Sequence, residues 1–304
     1  MISLKAAVTR LRQSLSIVMN TNERFDEVRI NQGRILARLN EQLESTQVQD
    51  HEFRVFSQWG EDGILQYLTR VIPIANRTFI EFGVEDFFES NCRFLMEKDN
   101  WRGFVIDGSA SNIARLRKAY FHMKHDLVAV EAFITRENIN ELLARSGFEE
   151  DLGILSIDLD GIDAYVLQAI HTFKPRILIC EFNAVFGGER KISVPYDPAF
   201  MRLNWHHSNL YAGASLAAMD HIARQKGYQL VGTNSASNNA FFVRNDLVNE
   251  QVQALSVGQA FKPSMFRESK DEQGNLTFVR GEGRLELLNG MTVFNVETGR
   301  DETL

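Results

Sequence analysis

The chain has little cysteine, no surplus of positive charge and no long apolar run, and each shortage removes a class of answer. Two cysteines stand in 304 residues, Cys92 and Cys180, the second inside an apolar run. Two thiols so placed make neither a disulfide framework nor a thiolate metal site, and they fit a reducing cytoplasm. Acidic residues number 40 against 33 basic ones, a formal charge of -7, whereas nucleic acid and anionic lipid are gripped by clustered Lys and Arg. No stretch of about 18 apolar residues occurs, so no transmembrane segment is expected. The first residues, "MISLKAAVTRLRQSLSIV", are broken by Lys5, Arg10 and Arg12 and lack the apolar centre of a signal peptide. Also missing are a "GxGxxG" after the first predicted strand and any "GxxxxGK[ST]", which weighs against NAD and ATP. The expectation is a soluble, cytoplasmic protein that works on small molecules.

What is present suffices for a packed domain. With 44% hydrophobic and 24% charged residues, the chain can bury one core of roughly 200 to 250 residues and still carry appendages. Three segments are expected, 1–46, 52–246 and 247–304, with "STQVQDHE" as the first linker. In the first, Leu4, Val8, Leu11, Leu15 and Val18 alternate spacings of four and three; the pattern falters at Asn22, resumes at Phe25 and returns with Leu36, Leu39 and Leu43. This predicts a long helix with a narrow apolar seam, either packed along its own domain or paired in a coiled coil that makes a homo-oligomer. Gly33 weakens that helix modestly.

From 52 to 246 short apolar strands alternate with amphipathic helices. Strands are expected at 78–82, 103–106, 127–130, 153–157 and 176–180, then in "YQLVGT" and "AFFVR", the last two pairing as a hairpin. The fold class is α/β, a Rossmann-like doubly wound sheet of about seven mostly parallel strands with the last antiparallel. No role is assigned to 247–304.

The stretch "FIEFGVEDFFESN", 79–91, begins as a buried strand, carries Glu81 just before its end, and runs into Gly83. Ligands of such sheets bind at the carboxyl ends of the strands, where the first strand-to-helix turn favours glycine. A second acid, Asp107, ends the second strand, where a carboxylate accepts from both ribose hydroxyls of a nucleoside. For Glu81 alone, helix capping or a salt bridge is the competing reading.

These residues resemble the class I S-adenosylmethionine-dependent methyltransferases, and among them the FkbM-type branch associated with glycan and natural-product tailoring, hence with polysaccharide biosynthesis. The resemblance is carried by "SQWGEDGIL" (57–65), "FIEFGV" (79–84), "GFVIDGS" (103–109), "LSIDLDGID" (155–163) and "ILICEFNAVFG" (177–187), and it covers roughly 53–245. It implies S-adenosyl-L-methionine as cofactor, with Glu81 and Gly83 against its methionine portion, Asp107 on its ribose, and Gln58 and Glu61 in a segment folded over it. Asn91, Gly108, Ser109 and Asp158 complete the implied cofactor set. Val84 and Glu85 stand where many members carry a second glycine.

Methyl transfer needs an acceptor oxygen placed in line with the sulfonium and its proton affinity lowered, work that Mg²⁺ performs with oxygen ligands. By similarity to metal-dependent O-methyltransferases acting on catechols and antibiotic sugars, Asp158, Glu181 and Asn183 are the expected metal ligands and Asp160 the base; a metal-free cluster of strand-end acids is the alternative. Asp163 is expected in the first turn of the next helix, where an acid favours the dipole. In "NWHHSNLYAGASL", 204–216, His206 and His207 are further catalytic candidates, beside Trp205 and Tyr211 as stacking faces for a sugar. "GGERK", 187–191, is a flexible basic loop able to close on an acidic acceptor, or a solvated charge run. The expected activity is O-methylation of a hydroxyl on a glycan, a nucleotide-linked sugar or a glycosylated natural product. A non-catalytic nucleoside-binding scaffold and an NAD-dependent oxidoreductase are the competing readings.

Overall fold

The structure, a computed structural model, describes residues 4–304, with side chains from residue 21 onward. In chain order the elements are α1 (Leu4–Asn40), α2 (Glu61–Val71), β1 (Thr78–Phe82), α3 (Arg93–Asp99), β2 (Arg102–Asp107), α4 (Ala110–Leu116), α5 (Tyr120–Lys124) and β3 (Leu127–Glu131). Next come α6 (Ile139–Ala144), β4 (Ile154–Ile157), α7 (Asp163–Ala169), β5 (Ile177–Glu181), β6 (Ile192–Ser193), α8 (Arg202–Trp205), α9 (Leu216–Gln225), β7 (Tyr228–Thr233) and β8 (Asn239–Arg244). The chain closes with α10 (Val257–Ala260), α11 (Glu282–Glu286), β9 (Thr292–Asn295) and β10 (Arg300–Thr303).

Seven strands form the main sheet in the order β3-β2-β1-β4-β5-β8-β7, all parallel except β8, which runs antiparallel to both its neighbours. The central strands β1 and β4 are buried at every position, as strands covered on both faces must be. One face packs on α2, α3 and α4 through residues such as Ile64, Leu95 and Ile113. The other packs on α6, α7 and α9 through Leu143, Val166 and Leu216.

Helix α1 is docked along its second half. Asp26, Gly33 and Ala37 are buried and Ile30 is half-buried, a spacing of four, three and four that marks one helix face. Gly33 is there because of close approach: a Cβ at that position would lie 2.6 Å from both Phe94 and Val55. At Asp26 the helix meets Arg93, a fully buried guanidinium that also binds Glu97 and lies between the rings of Phe56 and Phe121 at 3.9 and 4.2 Å. The expected seam residues Leu4, Val8, Leu11, Leu15 and Val18 have side chains outside the described residues. Among the described residues no helix is long and apolar enough to cross a membrane.

The segment after residue 246 is built into the domain. Strands β9 and β10 make a hairpin that pairs with β6, Leu288 and Val293 join the main core, and the Phe266 ring packs on Trp59 with centroids 4.9 Å apart.

Candidate active site

The parallel strands stop in step. Phe82 pairs with Ile106, Asp107 with Glu131, and Ile157 with Cys180, while Glu181 opposes Asn239. Gly83, Asp107, Asp158 and Glu181 therefore emerge along one edge of the sheet. A cavity of about 750 Å³ opens there, and all four line it.

The turn after β1 is shaped by backbone. Gly83 has φ +66°, and a Cβ on it would stand 1.9 Å from the carbonyl oxygen of Asp158, so only glycine lets the chain cross the end of β4 at this distance. Glu85 and Phe87 also have positive φ. Asp107 pins this turn: one carboxylate oxygen accepts from the Glu85 amide at 2.8 Å and the other from the Ser109 amide at 2.8 Å. An ionised carboxylate has about four acceptor positions, so Asp107 keeps capacity for a ligand. Glu81 is more fully engaged, accepting from Ser90 Oγ at 2.8 Å, the Asn91 amide at 2.8 Å and the Cys92 amide at 3.1 Å. Burial raises its pKa and these bonds oppose the rise. Its work is to hold 90–92 at the entrance to α3, with Asn91 on the cavity wall donating to Ser156 Oγ at 3.1 Å.

Gly108 and Ser109 line the same half of the cavity. Gln58 stands on its rim, but Glu61 does not line it. Glu61 is fully buried and accepts from Asn234 at 2.7 Å, Asn239 at 2.9 Å and the Trp59 amide at 3.0 Å. Its placement corrects the expectation of a cofactor contact, because those three bonds tie the 58–60 loop to the β7–β8 hairpin.

On the other half, the carboxyl groups of Asp158 and Glu181 are close neighbours, and both titrate well above the ordinary carboxylate range. Burial is the main cause, and mutual repulsion among Asp158, Glu181, Asp160 and Asp163 adds to it. Oxygens of Asp158, Asp163 and Glu181 lie within 4.8 Å of one another. Asp163 opens α7 and accepts from the Leu159 amide at 2.7 Å and the Gly161 amide at 3.0 Å, closing the turn that carries Asp160.

Asn183 is not in this group. Its side-chain amide donates to the carbonyls of Leu210 and Ala212, each at 2.8 Å, and its oxygen accepts from the Val185 amide at 3.0 Å. These bonds turn its amide toward the loops after β5, and Asn183 does not line the cavity. His206 and His207 are turned on each other with ring centroids 4.2 Å apart, His206 Nδ1 lies 2.7 Å from Ser208 Oγ, and neither ring lines the cavity. Trp205 stacks on Phe200, and Tyr211 is buried with its hydroxyl donating to the Thr292 carbonyl. In the 187–191 loop, Arg190 and Lys191 pair with Glu302 and Glu297 of the C-terminal hairpin.

Of the lining residues that sequence reasoning missed, Phe133 and Arg202 bear most on the chemistry. Phe133, just after β3 and 50% exposed, presents a ring on the Asp107 side; an exposed aromatic immediately after a strand was the available signal. Arg202 donates to Asp160 at 2.9 Å and to the Asn209 carbonyl at 2.8 Å. Asp160 and Asn209 both hold positive φ without being glycine, which marks a locally strained arrangement.

The fold is α/β, a Rossmann-like doubly wound sheet of seven mostly parallel strands. No protein-family model and no curated protein matches the chain. Solved structures do. A methyltransferase of Podospora anserina bound to S-adenosylhomocysteine is 13% identical, with TM-score 0.37 over 55% of this chain and 71% of that one. An S-adenosylmethionine-dependent methyltransferase from Clostridium acetobutylicum is 7% identical, with TM-score 0.39 over 60% and 90%. An O-methyltransferase from Bacillus cereus in complex with S-adenosylhomocysteine is 12% identical, with TM-score 0.35 over 55% and 72%.

Proposed function

We propose that this chain is an S-adenosylmethionine-dependent O-methyltransferase of the FkbM type, acting on a hydroxyl of a glycan or glycosylated natural product. The observation that carries the reading is an opposition across one cavity: a glycine turn pinned to Asp107 on one side, and the buried Asp158–Glu181 pair on the other. A ribose takes the acceptor positions left on Asp107. Phe133 offers a face to a base, and the turn at Gly83 would lie against the methionine tail. The wall also suits a sulfonium. Glu85, Glu89, Asp107 and Asp160 line it, beside the more weakly acidic Glu81, Asp158 and Glu181 and against Arg202 alone among basic residues, a field that draws in a cation and disfavours an anionic acceptor. A neutral glycan hydroxyl fits better than a nucleotide-linked sugar.

The donor set suits a hard divalent cation, because oxygen ligands converge and a cation relieves their repulsion. Asp158 and Glu181 would hold Mg²⁺, with Asp163 behind them; bound there, it supplies an anchor for acceptor oxygens and lowers their proton affinity. Asp160 is the base in this reading, its carboxylate oriented by Arg202. A scaffold would have no use for a repelling buried acid pair, and a dinucleotide enzyme would need the glycine fingerprint this turn lacks.

Calorimetry of the full chain against S-adenosylhomocysteine, NAD and ATP, each with and without Mg²⁺, tests the proposal. Binding of S-adenosylhomocysteine alone is expected, with a Mg²⁺ heat that disappears in Asp158→Asn while the melting temperature holds. NAD binding in its place would overturn the cofactor, and an unchanged Mg²⁺ heat in the variant would overturn the metal.

A further inference from the structure

Helix α1 shows the solvent a second apolar stripe. Phe25, Val28, Ile35 and Leu39 are 62%, 63%, 62% and 54% exposed, although the face bearing Asp26, Ile30, Gly33 and Ala37 is docked on the domain. The stripe steps three, seven and four residues, so Phe25 and Leu39 fall on one heptad position and Val28 and Ile35 on the other core position. In the sequence the first of these positions continues back, seven residues at a time, through Val18, Leu11 and Leu4.

We propose that this stripe is the contact face for α1 of a second copy of the chain, paired in parallel and in register. Its width argues for a helix as the occupant. Arg24, Asn31 and Arg38 flank it on one side and Asn22 and Arg29 on the other, where half-buried Leu36 takes the next place, so the stripe is two apolar positions wide over most of its length, the seam of a coiled coil; a helix lying in a membrane surface presents a broader apolar face. Identity of the partner follows from Gln32. It occupies the same heptad position as Phe25 and Leu39, and a polar side chain there is satisfied when the same residue of an in-register copy faces it. The one like-charge approach this register brings, Arg24 to Arg29 across the pair, is relieved by Asp26, 3.7 Å from Arg29 on its own helix. The docked residues Asp26, Ile30, Gly33 and Ala37 lie on the other side of α1 from the seam. Length is sufficient as well: 37 residues span about 55 Å, whereas isolated helices depend on tertiary packing of an apolar face for most of their stability.

Sedimentation velocity on the full-length protein at tens of micromolar reads the outcome. The expected result is twice the chain mass of 34.7 kDa, falling to one chain mass in the double variant Val28→Glu with Ile35→Glu. Both positions are exposed, and an unchanged near-ultraviolet circular dichroism spectrum would show that the domain stays folded. Gln32→Leu keeps the assembly but loosens its register or copy number. A monomeric wild type overturns the proposal, as does an oligomer that survives the double variant. A monomer that co-sediments with phosphatidylserine vesicles, and loses this in the double variant, reassigns the stripe to a membrane surface.

Discussion

Asp107 serves two masters in the folded chain, the turn after β1 and the start of α4, and it keeps acceptor capacity for a ligand. Asp107→Ala is expected to weaken S-adenosylhomocysteine by about 1.5 to 3 kcal/mol, the range for losing a hydrogen bond to a charged group; unchanged affinity in calorimetry removes it from the ribose. A different carboxylate sets a pH dependence. Asp62 is fully buried, accepts from the amides of Val55, Phe56 and Ser57 and from Ser57 Oγ, and its pKa is raised from 3.8 to about 6 because burial outweighs those bonds. The folded state thus holds this proton more tightly than the unfolded one. Its contribution is fully present below about pH 4 and is lost as pH rises through about 6, a change of about 3 kcal/mol for roughly two pKa units. Urea titrations between pH 4 and 7 should show stability declining over this window, and Asp62→Asn should flatten the slope. A slope identical in the variant would assign the decline elsewhere.

At the scale of elements, α1 is attached through a buried charge. Arg93 offers its guanidinium to Asp26 at 2.6 Å and Glu97 at 2.7 Å, both nearly inaccessible, and to the Phe88 carbonyl at 3.0 Å in the loop that borders the cavity. Removing one partner of such a group leaves uncompensated charge in a low dielectric, so Asp26→Ala is expected to cost about 3 to 5 kcal/mol in denaturant unfolding. The exposed pair Lys124–Glu23, one turn away, is the control and should cost under about 1 kcal/mol when Glu23 is truncated. Equal costs would mean that α1 is not held this way. Here the sequence was legible only in part. A narrow seam was visible from spacing alone, but spacing does not reveal that Asp26 and Gly33 form a second, docked face, because a buried acid and a glycine read as polar and helix-weakening until Arg93 and Phe94 are opposite them.

For the molecule as a whole, the sheet was legible because its signal is local. Runs such as Thr78–Phe82 and Ile177–Glu181 are apolar and bounded by turn residues, and alternation with helices dictates parallel pairing. Placement of Gly83, Asp107, Asp158 and Glu181 on one rim followed from that topology. Contacts between distant segments were not legible. Asn183 reads as a ligand beside Glu181, yet loops 27 and 29 residues away claim its amide; Glu61 is taken by Asn234 and Asn239, more than 170 residues downstream. The segment after 246 has no periodic pattern because its hairpin completes a sheet begun by two residues, Ile192 and Ser193. The strand order also bears on how the chain is made. Synthesis delivers β1 to β5 first, yet β5 receives its outer neighbour only from β8, at Asn239–Arg244. Until the ribosome has released those residues, the outer edge of β5, from Arg176 to Phe182, has no partner, and a nascent chain stalled before them carries an open apolar strand of the kind that chaperones shield.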